Sequence, residues 1–457
     1  MPVYTKHELY SFSLVAGFVV LSLEILAFRM LAPTFGNSVF VSGSIVTVIL
    51  TFLSIGYFLG GNLADKNPQK SLLIFIFASS TLYLLTLLFL FRWILEFFGH
   101  FSTIAGSVFA ALTLFAFPVT VLSLVSPLLI KFHSGTSGVG VSAGNIYATS
   151  TLGSILGSIL TTFLFIPYLG VKNTLFTNAV LLAFCGIRIK KLPFAVLLGC
   201  SGLILPSLSY SQSPYLYFKE SPYNTIFVVE INGVKYLRLN QNRGMHSSSL
   251  GPDYLTHLIP DDYLIGPKLL SSFKSLLILG GGGGTSAEQF THFYKPEKID
   301  MVEIDREVSG TSKILGLPLE NVHRIHSDAR RFLKENSFQY DLIEIDIFGG
   351  GIYIPFHVST LEFFTEVSRS LRDGGLVMMN VVKTNEGFSN AIADTLAEVF
   401  PYVYSLNNRV LVAYKTQTPV VIPGLIRHIS TRHILTDDRS NLEWLTYAFA
   451  SQLQKSH

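Results

Sequence analysis

Five consecutive glycines, Gly280 to Gly284, follow the apolar run SLLIL and precede TSAEQF. The apolar run predicts a buried strand, and a helix is expected to begin near Ser286 or Ala287. Glycine permits positive φ and lets backbone N–H groups approach a ligand closely, and a helix N-terminus adds partial positive charge. A glycine run alone could be a linker, but its place between a strand and a helix predicts a ligand-binding loop. The predicted binding positions are Gly280, Gly281, Gly282 and Gly284.

Carboxylates follow two more apolar runs. KIDMV is followed by Glu303 and Asp305, and YDLIEI is followed by Asp346. Ligands of open α/β sheets bind beyond the carboxyl ends of the strands, so we expect these residues near the glycine loop. Glu303 is placed to accept hydrogen bonds from both ribose hydroxyls of a nucleoside. Asp346 is the candidate reactive carboxylate, as a base or as the electrostatic partner of a sulfonium cation.

The same pattern favours an adenosyl ligand without phosphates. Unlike the G-x-G-x-x-G fingerprint of dinucleotide-binding domains, the loop offers no clear seat for a pyrophosphate. S-adenosylmethionine or a derivative fits better. Asp328, which follows a short third strand, is expected to cap the next helix through the N–H groups of Ala329 to Arg331, or to accept from the adenine amino group. The two cysteines match no metal spacing, and no metal is expected.

The elements that must position these residues fall into three regions. From residue 273 onward, strands alternate with helices, as in a parallel sheet, and before them TIFVVEI-NG-VKYLRLN predicts a β-hairpin. We predict an N-terminal α-helical polytopic membrane domain (1–208), and then a linker with a small β-hairpin domain (209–265). The C-terminal region (266–457) is predicted to be an α/β Rossmann-type domain with a class I methyltransferase-like fold.

Composition supports the membrane region. Charged residues make up 14% of the chain, whereas soluble domains carry about 25%. Apolar runs long enough to approach the ~20 residues of a membrane span lie near 9–31, 42–62, 72–91, 104–130, 144–168, 171–187 and 192–208. Small residues predict close helix packing at Gly56, Gly60, Gly61, Ser150, Gly153, Ser154 and Gly157. The net charge of +3 is too small to indicate nucleic-acid binding.

Basic residues follow the second, fourth and sixth runs, which by the positive-inside rule places those loops and the N-terminus in the cytoplasm. Six spans would then place the C-terminal domain in the cytoplasm, and seven would place it outside. The sequence leaves this topology open. A cytosolic nucleotide-like donor favours six, so we expect a multi-pass protein of the inner cell membrane with a cytoplasmic catalytic domain.

Two ionisable residues, Glu24 and Arg29, lie inside or at the end of the first run. A charge at bilayer depth is costly and usually faces a cavity or a partner. A functional site and a structural ion pair both remain open, and Glu24 is a candidate for substrate binding. Cys185 and Cys200 lie in apolar stretches and are expected to be buried packing residues.

The glycine loop, VEID, SDA and D-x-F stretches, in this order, resemble the aminopropyltransferase (spermidine synthase) family, more specifically its membrane-fused members. The resemblance covers roughly residues 217–415, with ESPYN at 220–224 resembling the entry to the family's N-terminal β-domain. Three N-terminal stretches also resemble the membrane domain of the fused proteins: EILAFRMLAPTFGNS, GYFLGGNLADK and NIYATSTLGSILGS.

The resemblance implies that the donor is decarboxylated S-adenosylmethionine or S-adenosylmethionine, and that 5′-methylthioadenosine is released. Glu303 would bind the ribose and Asp328 the adenine amino group. Asp346 would help to deprotonate the attacking amine. Tyr223 and Tyr254 are further candidates for substrate binding. A homodimer is a further expectation.

This sequence departs from the family pattern at two acidic positions. Gly283 stands where the family's glycine loop has an aspartate that would contact the ammonium end of the donor. The family's DSSDP loop here reads Asp346-Ile347-Phe348-Gly349-Gly350, so its second aspartate, which would hold the diamine, is missing. Gly283 predicts a weaker preference for the decarboxylated donor than soluble members of the family show. The missing aspartate leaves putrescine open as the acceptor, which is expected to be a small-molecule amine or a membrane-delivered molecule.

Two alternatives remain. A methyltransferase would share the fold and release S-adenosylhomocysteine. A transporter or sensor would use the soluble domain only to bind an adenosyl ligand. The polar residues of the first run and the helix-breaking Pro118 and Pro127 favour this alternative.

Overall fold

The computed structural model divides the chain into two compact units, Met1–Ser213 and Pro214–His457. The structure describes residues 4–36, 38–66, 68–135, 137–189, 215–240, 244–349, 354–381, 386–415, 424–429, 433–438 and 440.

The N-terminal unit is a bundle of helices. They are α1 (Lys6–Phe35), α2 (Val39–Lys66), α3 (Lys70–Phe98), α4 (Thr103–Ser123), α5 (Val125–Ser134), α6 (Val139–Leu160) and α7 (Ile166–Ile189). Thr5 caps α1 by accepting from the Glu8 amide, while the Glu8 side chain accepts from the Thr5 amide. A π-helical turn, Thr161–Phe165, joins α6 to α7.

Five helical stretches of this unit are long and apolar enough to cross a membrane. The fifth, Val139–Ile189, contains both the fifth and the sixth predicted spans in 51 residues. At ~1.5 Å per residue it would measure about 76 Å, more than twice the ~30 Å of hydrocarbon. Gly170, with φ 77° and ψ 174°, interrupts the helical geometry and divides this stretch in two. The seventh predicted span, 192–208, and Cys200 lie outside the described residues; Cys185 is buried.

Glycines bring α1 and α6 into backbone contact. A Cβ at Gly153 would lie 2.0 Å from the Leu14 carbonyl oxygen, and one at Gly157 would lie 2.3 Å from that of Phe18. From the other side, a Cβ at Gly17 would lie 2.1 Å from the Ser150 carbonyl oxygen. The predicted packing role of these small residues is confirmed. Gly56 likewise approaches α4, and Gly60 approaches Leu124 and Pro127, whereas Gly61 faces open space and the prediction for it is wrong.

The C-terminal unit contains two sheets. The smaller is antiparallel, in the order β1 (Tyr217–Glu220), β2 (Thr225–Ile231), β3 (Val234–Leu239) and β4 (Ser247–Ser248). Asn232 and Gly233 both have positive φ, 53° and 79°, and form the predicted two-residue turn between β2 and β3.

The larger sheet has eight strands in the order β12-β10-β11-β9-β8-β5-β6-β7. They are β5 (Ser275–Leu279), β6 (Lys298–Val302), β7 (Val322–Ile325), β8 (Tyr340–Ile345), β9 (Leu371–Asn380), β10 (Tyr402–Leu406), β11 (Val410–Tyr414) and β12 (Leu425–Arg427). Strands β5 to β9 pair in parallel, and β10 to β12 extend the sheet in antiparallel pairing. The predicted α/β Rossmann-type, class I methyltransferase-like fold is confirmed.

Helices cover both faces of this sheet. They are α8 (Ile259–Tyr263), α9 (Thr285–Phe293), α10 (Arg306–Gly310), α11 (Ser312–Leu315), α12 (Ala329–Glu335), α13 (Leu361–Arg369) and α14 (Glu386–Ala397). Side chains alternate along β8, so that Ile343 and Ile345 enter one apolar layer while Leu342 enters the other. Glu344 therefore points toward the same layer as Leu342.

Valine at Gly153 should separate α1 from α6, because its Cβ has no space beside the Leu14 carbonyl. Overpacking costs about 1–3 kcal/mol, so we expect the Gly153→Val protein to melt at least roughly 3 °C lower in detergent. Gly144→Val, in the same helix, is the matched control, because a Cβ there meets nothing within 4 Å. Equal melting temperatures for the two variants would contradict the packing described here.

Candidate functional site

The crevice of the large sheet opens at the carboxyl end of β5. Strands β6 and β8 pair with opposite sides of β5, so the strand order reverses at β5. Open α/β sheets bind ligands at such a point. Gly280 follows β5, Glu303 lies just after β6, and Asp346 follows β8. The structure thus brings these three predicted residues to one edge of the sheet.

The glycine loop requires glycine at its first two positions. Gly280 has φ 89°, and a Cβ there would lie 2.2 Å from the Asp346 carbonyl oxygen. A Cβ at Gly281 would lie 2.1 Å from Met301 Cγ. Both amides donate to the Val302 carbonyl, at 2.9 and 3.1 Å. The helix that follows, α9, begins at Thr285, slightly before the predicted start.

Glu303 is bonded directly to this loop. One carboxylate oxygen accepts from the Gly282 amide at 3.0 Å, and the other accepts from the Asp305 amide at 3.0 Å. Burial raises the pKa of Glu303 to about 7, although these two amides favour its charged form. A ribose would bind through the lone pairs that these amides leave free.

The small sheet also reaches the loop. The Gly283 amide donates to Ser247 Oγ at 2.8 Å. Thr285 Oγ1 accepts from the Ser248 amide and donates to the Ser248 carbonyl oxygen. Gly283 is buried, and a Cβ there would lie 2.7 Å from Leu315 Cδ1 and 3.1 Å from Ser247 Cβ. The position where the related sequences carry aspartate is therefore enclosed by other side chains here.

Asp346 lies in a pocket of polar side chains. Its Oδ1 accepts from Asn380 Nδ2 at 2.9 Å, and burial raises its pKa to about 6. Glu344, two residues earlier in β8, accepts from Ser286 Oγ at 2.6 Å, and burial raises its pKa to about 8. Tyr263, at the end of α8, is fully buried beside these carboxylates.

Sequence reasoning missed Glu344, Tyr263, Asn380 and Ser247. The sequence did contain a signal for Glu344. It lies two residues before Asp346 in an apolar strand, and side chains two residues apart point to the same face of a sheet. The other three come from segments distant in sequence, and the pattern around them does not mark them as site residues.

Asp328 caps α12, as one of its two predicted roles requires. Its Oδ1 accepts from the Arg331 amide at 2.9 Å. His357 lies 3.7 Å from the other oxygen, and its hydrogen bond is the main cause of the lowered pKa of Asp328. The adenine contact stays a prediction.

The remaining candidates lie in varied surroundings. Tyr223 is exposed at the turn before β2, and the Tyr254 ring stacks on His292 with ring centroids 3.6 Å apart. Glu24 lies in α1 of the N-terminal unit. A role for any of them in substrate binding stays a prediction.

Known proteins are similar to the C-terminal region. The spermine/spermidine synthase domain family matches residues 265–417. A probable polyamine aminopropyl transferase of Bifidobacterium longum is 30% identical over 228 residues, which cover 48% of this chain and 51% of that protein. A polyamine aminopropyltransferase of Vibrio vulnificus is 28% identical over 244 residues, which cover 50% of this chain and 81% of that protein. This chain thus spans about half the length of the first of these relatives.

Among solved structures, a probable spermidine synthase from Corynebacterium glutamicum has 23% sequence identity and a TM-score of 0.39. The similarity covers 45% of this chain and 82% of that one. Likeness of this order supports no further inference, and the family assignment rests on the sequence matches.

The buried carboxylates should make stability fall as pH rises. A carboxyl group whose pKa is higher in the folded state binds protons more tightly when folded, so stability is lost between the unfolded and the folded pKa. For Glu344 this window runs from 4.5 to about 8. We expect the melting temperature of the ligand-free C-terminal unit to fall as pH rises across this window. The fall should be less steep in the Glu344→Gln variant. Parallel pH profiles by scanning fluorimetry would contradict this.

Aspartate at Gly283 should destabilise the domain, because Leu315 and Ser247 occupy the space its Cβ needs. We expect a loss of about 1–3 kcal/mol in Gly283→Asp. Leu315→Ala removes the nearest atom, so the added loss in the double variant should be smaller. Denaturant unfolding of the four proteins in this cycle measures the difference. Simple additivity would show that Leu315 does not restrict this position.

Proposed function

Since residues 265–417 belong to the spermine/spermidine synthase domain family, we propose that this chain is a membrane-bound aminopropyltransferase-like enzyme. The observation that carries the proposal is Asp346, a half-buried carboxylate at the switch point of the sheet, in contact with the glycine loop through its own backbone. A group that accepts a proton in the reaction must lie where the donor and the acceptor meet, and this is that position.

The donor is an S-adenosyl sulfonium, either S-adenosylmethionine or its decarboxylated form. The glycine loop receives the adenosyl group, because its backbone approaches the ligand without side chains between them. Glu303 accepts from the ribose hydroxyls while its bond to the Gly282 amide keeps the loop in place. Asp328, already fixed as a helix cap, is near enough in sheet order to receive the adenine amino group.

The reaction is a displacement at carbon. The lone pair of the acceptor amine forms a bond to the aminopropyl carbon next to sulfur, and the carbon–sulfur bond breaks with its electrons passing to sulfur. The sulfonium becomes the thioether of 5′-methylthioadenosine. The nitrogen loses a proton to Asp346, whose pKa of about 6, raised by burial, leaves it mostly ionised near neutral pH and still basic.

The acceptor is an amine that differs from the diamine of the soluble family members. Gly349 carries no carboxylate where the related loop has its second aspartate. A dication without that partner loses a charge-assisted hydrogen bond of about 1.5–3 kcal/mol. The five apolar helices support placement of the protein in the inner membrane, and with it an acceptor delivered from the bilayer. The catalytic domain is proposed to face the cytoplasm, where the donor is made.

Asparagine at Asp346 removes the proton acceptor and keeps its shape. We expect the Asp346→Asn rate of 5′-methylthioadenosine release to fall at least about 100-fold, with donor affinity nearly unchanged. Asp373→Asn is the control, because Asp373 is an exposed carboxylate of the same domain.

Product analysis with labelled donor and a panel of amines decides among the activities. Release of 5′-methylthioadenosine supports aminopropyl transfer, and its absence from the wild-type protein with every amine would exclude it. Release of S-adenosylhomocysteine would identify a methyltransferase instead. Full activity in Asp346→Asn would remove Asp346 from the mechanism.

A further inference from the structure

Glu344 is a buried carboxylate to which the reaction above gives no task. Its side chain is 1% exposed, and its position two residues before Asp346 places both acids on one face of β8. The carboxylate accepts from Ser286 Oγ, in the first turn of the helix that follows the glycine loop.

Three other buried acids of this unit have basic partners, whereas Glu288 accepts from the Leu319 amide. Asp300 pairs with Lys298, Asp341 with Arg372, and Asp394 with His428. Within the part of the chain that the structure describes, no lysine, arginine or histidine forms an ion pair with Glu344 or Asp346. A buried carboxylate without a cation is costly to ionise.

A buried hydroxyl lies against the two acids. Tyr263 is 0% exposed, and its hydroxyl lies close enough to Asp346 and Glu344 to interact with their charges. It contacts Asp346 without forming a hydrogen bond of normal geometry. Two acids that lack a basic partner are compensated by a cation that carries hydrogen-bond donors.

The two acids point to different sides of the pocket. Glu344 accepts from Ser286 of α9, on the side of the glycine loop, whereas Asp346 accepts from Asn380 of β9. The donor is held by the glycine loop, so Glu344 is the acid on its side. Gly283 brings no side chain to this loop, and its surroundings are already filled.

We infer that Glu344 binds the primary ammonium group of the donor and disfavours a donor that still carries its carboxylate. This inference rests on the proposed function and deepens it, because it names which S-adenosyl donor the site selects. A carboxylate brought beside Glu344 and Asp346 would meet two acids and no base, whereas an ammonium would allow Glu344 to ionise.

Equilibrium binding of donors to the full-length protein in detergent, with no amine acceptor present, tests the role of Glu344. The probes are decarboxylated S-adenosylmethionine, S-adenosylmethionine and 5′-methylthioadenosine, which has neither ammonium nor carboxylate. We expect the wild-type protein to prefer the decarboxylated donor over S-adenosylmethionine, and Glu344→Gln to reduce that ratio about tenfold or more, as expected for one charge-assisted hydrogen bond. Affinity for 5′-methylthioadenosine should stay within about threefold, which also shows that the variant is folded.

Glu288→Gln is the matched control, because Glu288 is a buried acid of α9 that accepts from the Leu319 amide at 3.0 Å. This variant should leave the ratio unchanged. A second measurement uses calorimetry in buffers of different ionisation enthalpy near neutral pH. Binding of the decarboxylated donor should release a proton from Glu344 in the wild-type protein, and Glu344→Gln should reduce the release to what Glu303 and Asp346 contribute.

The outcomes separate this inference from the proposed function. An unchanged ratio and unchanged proton release in Glu344→Gln would overturn the role of Glu344, while formation of 5′-methylthioadenosine would still support transfer. A ratio that depends on Glu344 without any transfer to an amine would support the inference and exclude the reaction. Failure of the wild-type protein to bind all three probes would overturn both.

Discussion

The site depends on how closely the loop after β5 approaches the loop after β8. That approach is possible because Gly280 has no side chain, and the Asp346 carbonyl occupies the space where a Cβ would lie. The same approach places the Asp346 carboxylate beside the ligand loop, and the bond from the Gly282 amide to Glu303 joins the third strand end to it. The three strand ends therefore form one connected edge, on which the positions of Glu303 and Asp346 both depend on the glycine loop.

Much of this edge could be predicted, because its signals are local. A strand followed by glycines, and strands followed by Glu303 and Asp346, each occupy a few consecutive residues, and parallel topology brings their ends together. The fold class followed from the same alternation. The bond between Gly283 and Ser247 joins residues 36 apart in sequence, and the pairing of Ser286 with Glu344 joins residues 58 apart. Contacts of that range depend on tertiary packing, which a single sequence does not display.

In the N-terminal unit, the sequence predicted the apolar stretches but not how two of them are joined. Hydropathy located the apolar runs, but it carries no information on whether two runs are joined by a loop or by a continuous helical stretch. The positive φ of Gly170 and the π-helical turn before it replace a polar loop between the fifth and sixth predicted spans. Among the described residues, five apolar helical stretches therefore cover the first six predicted spans, and the seventh predicted span lies outside those residues.

The backbone contact between α1 and α6 also limits which mutations the chain tolerates. Any missense change at Gly17, Gly153 or Gly157 adds at least one carbon, and that carbon would lie 2.0–2.3 Å from a carbonyl oxygen of the other helix. No conservative replacement exists at such a position, whereas Gly144 of the same helix has open space. Natural sequence variation along α6 should therefore be confined to the faces that point away from α1. The pattern of variable positions in this helix would then show which side packs against α1, which the amino-acid composition of the helix does not show.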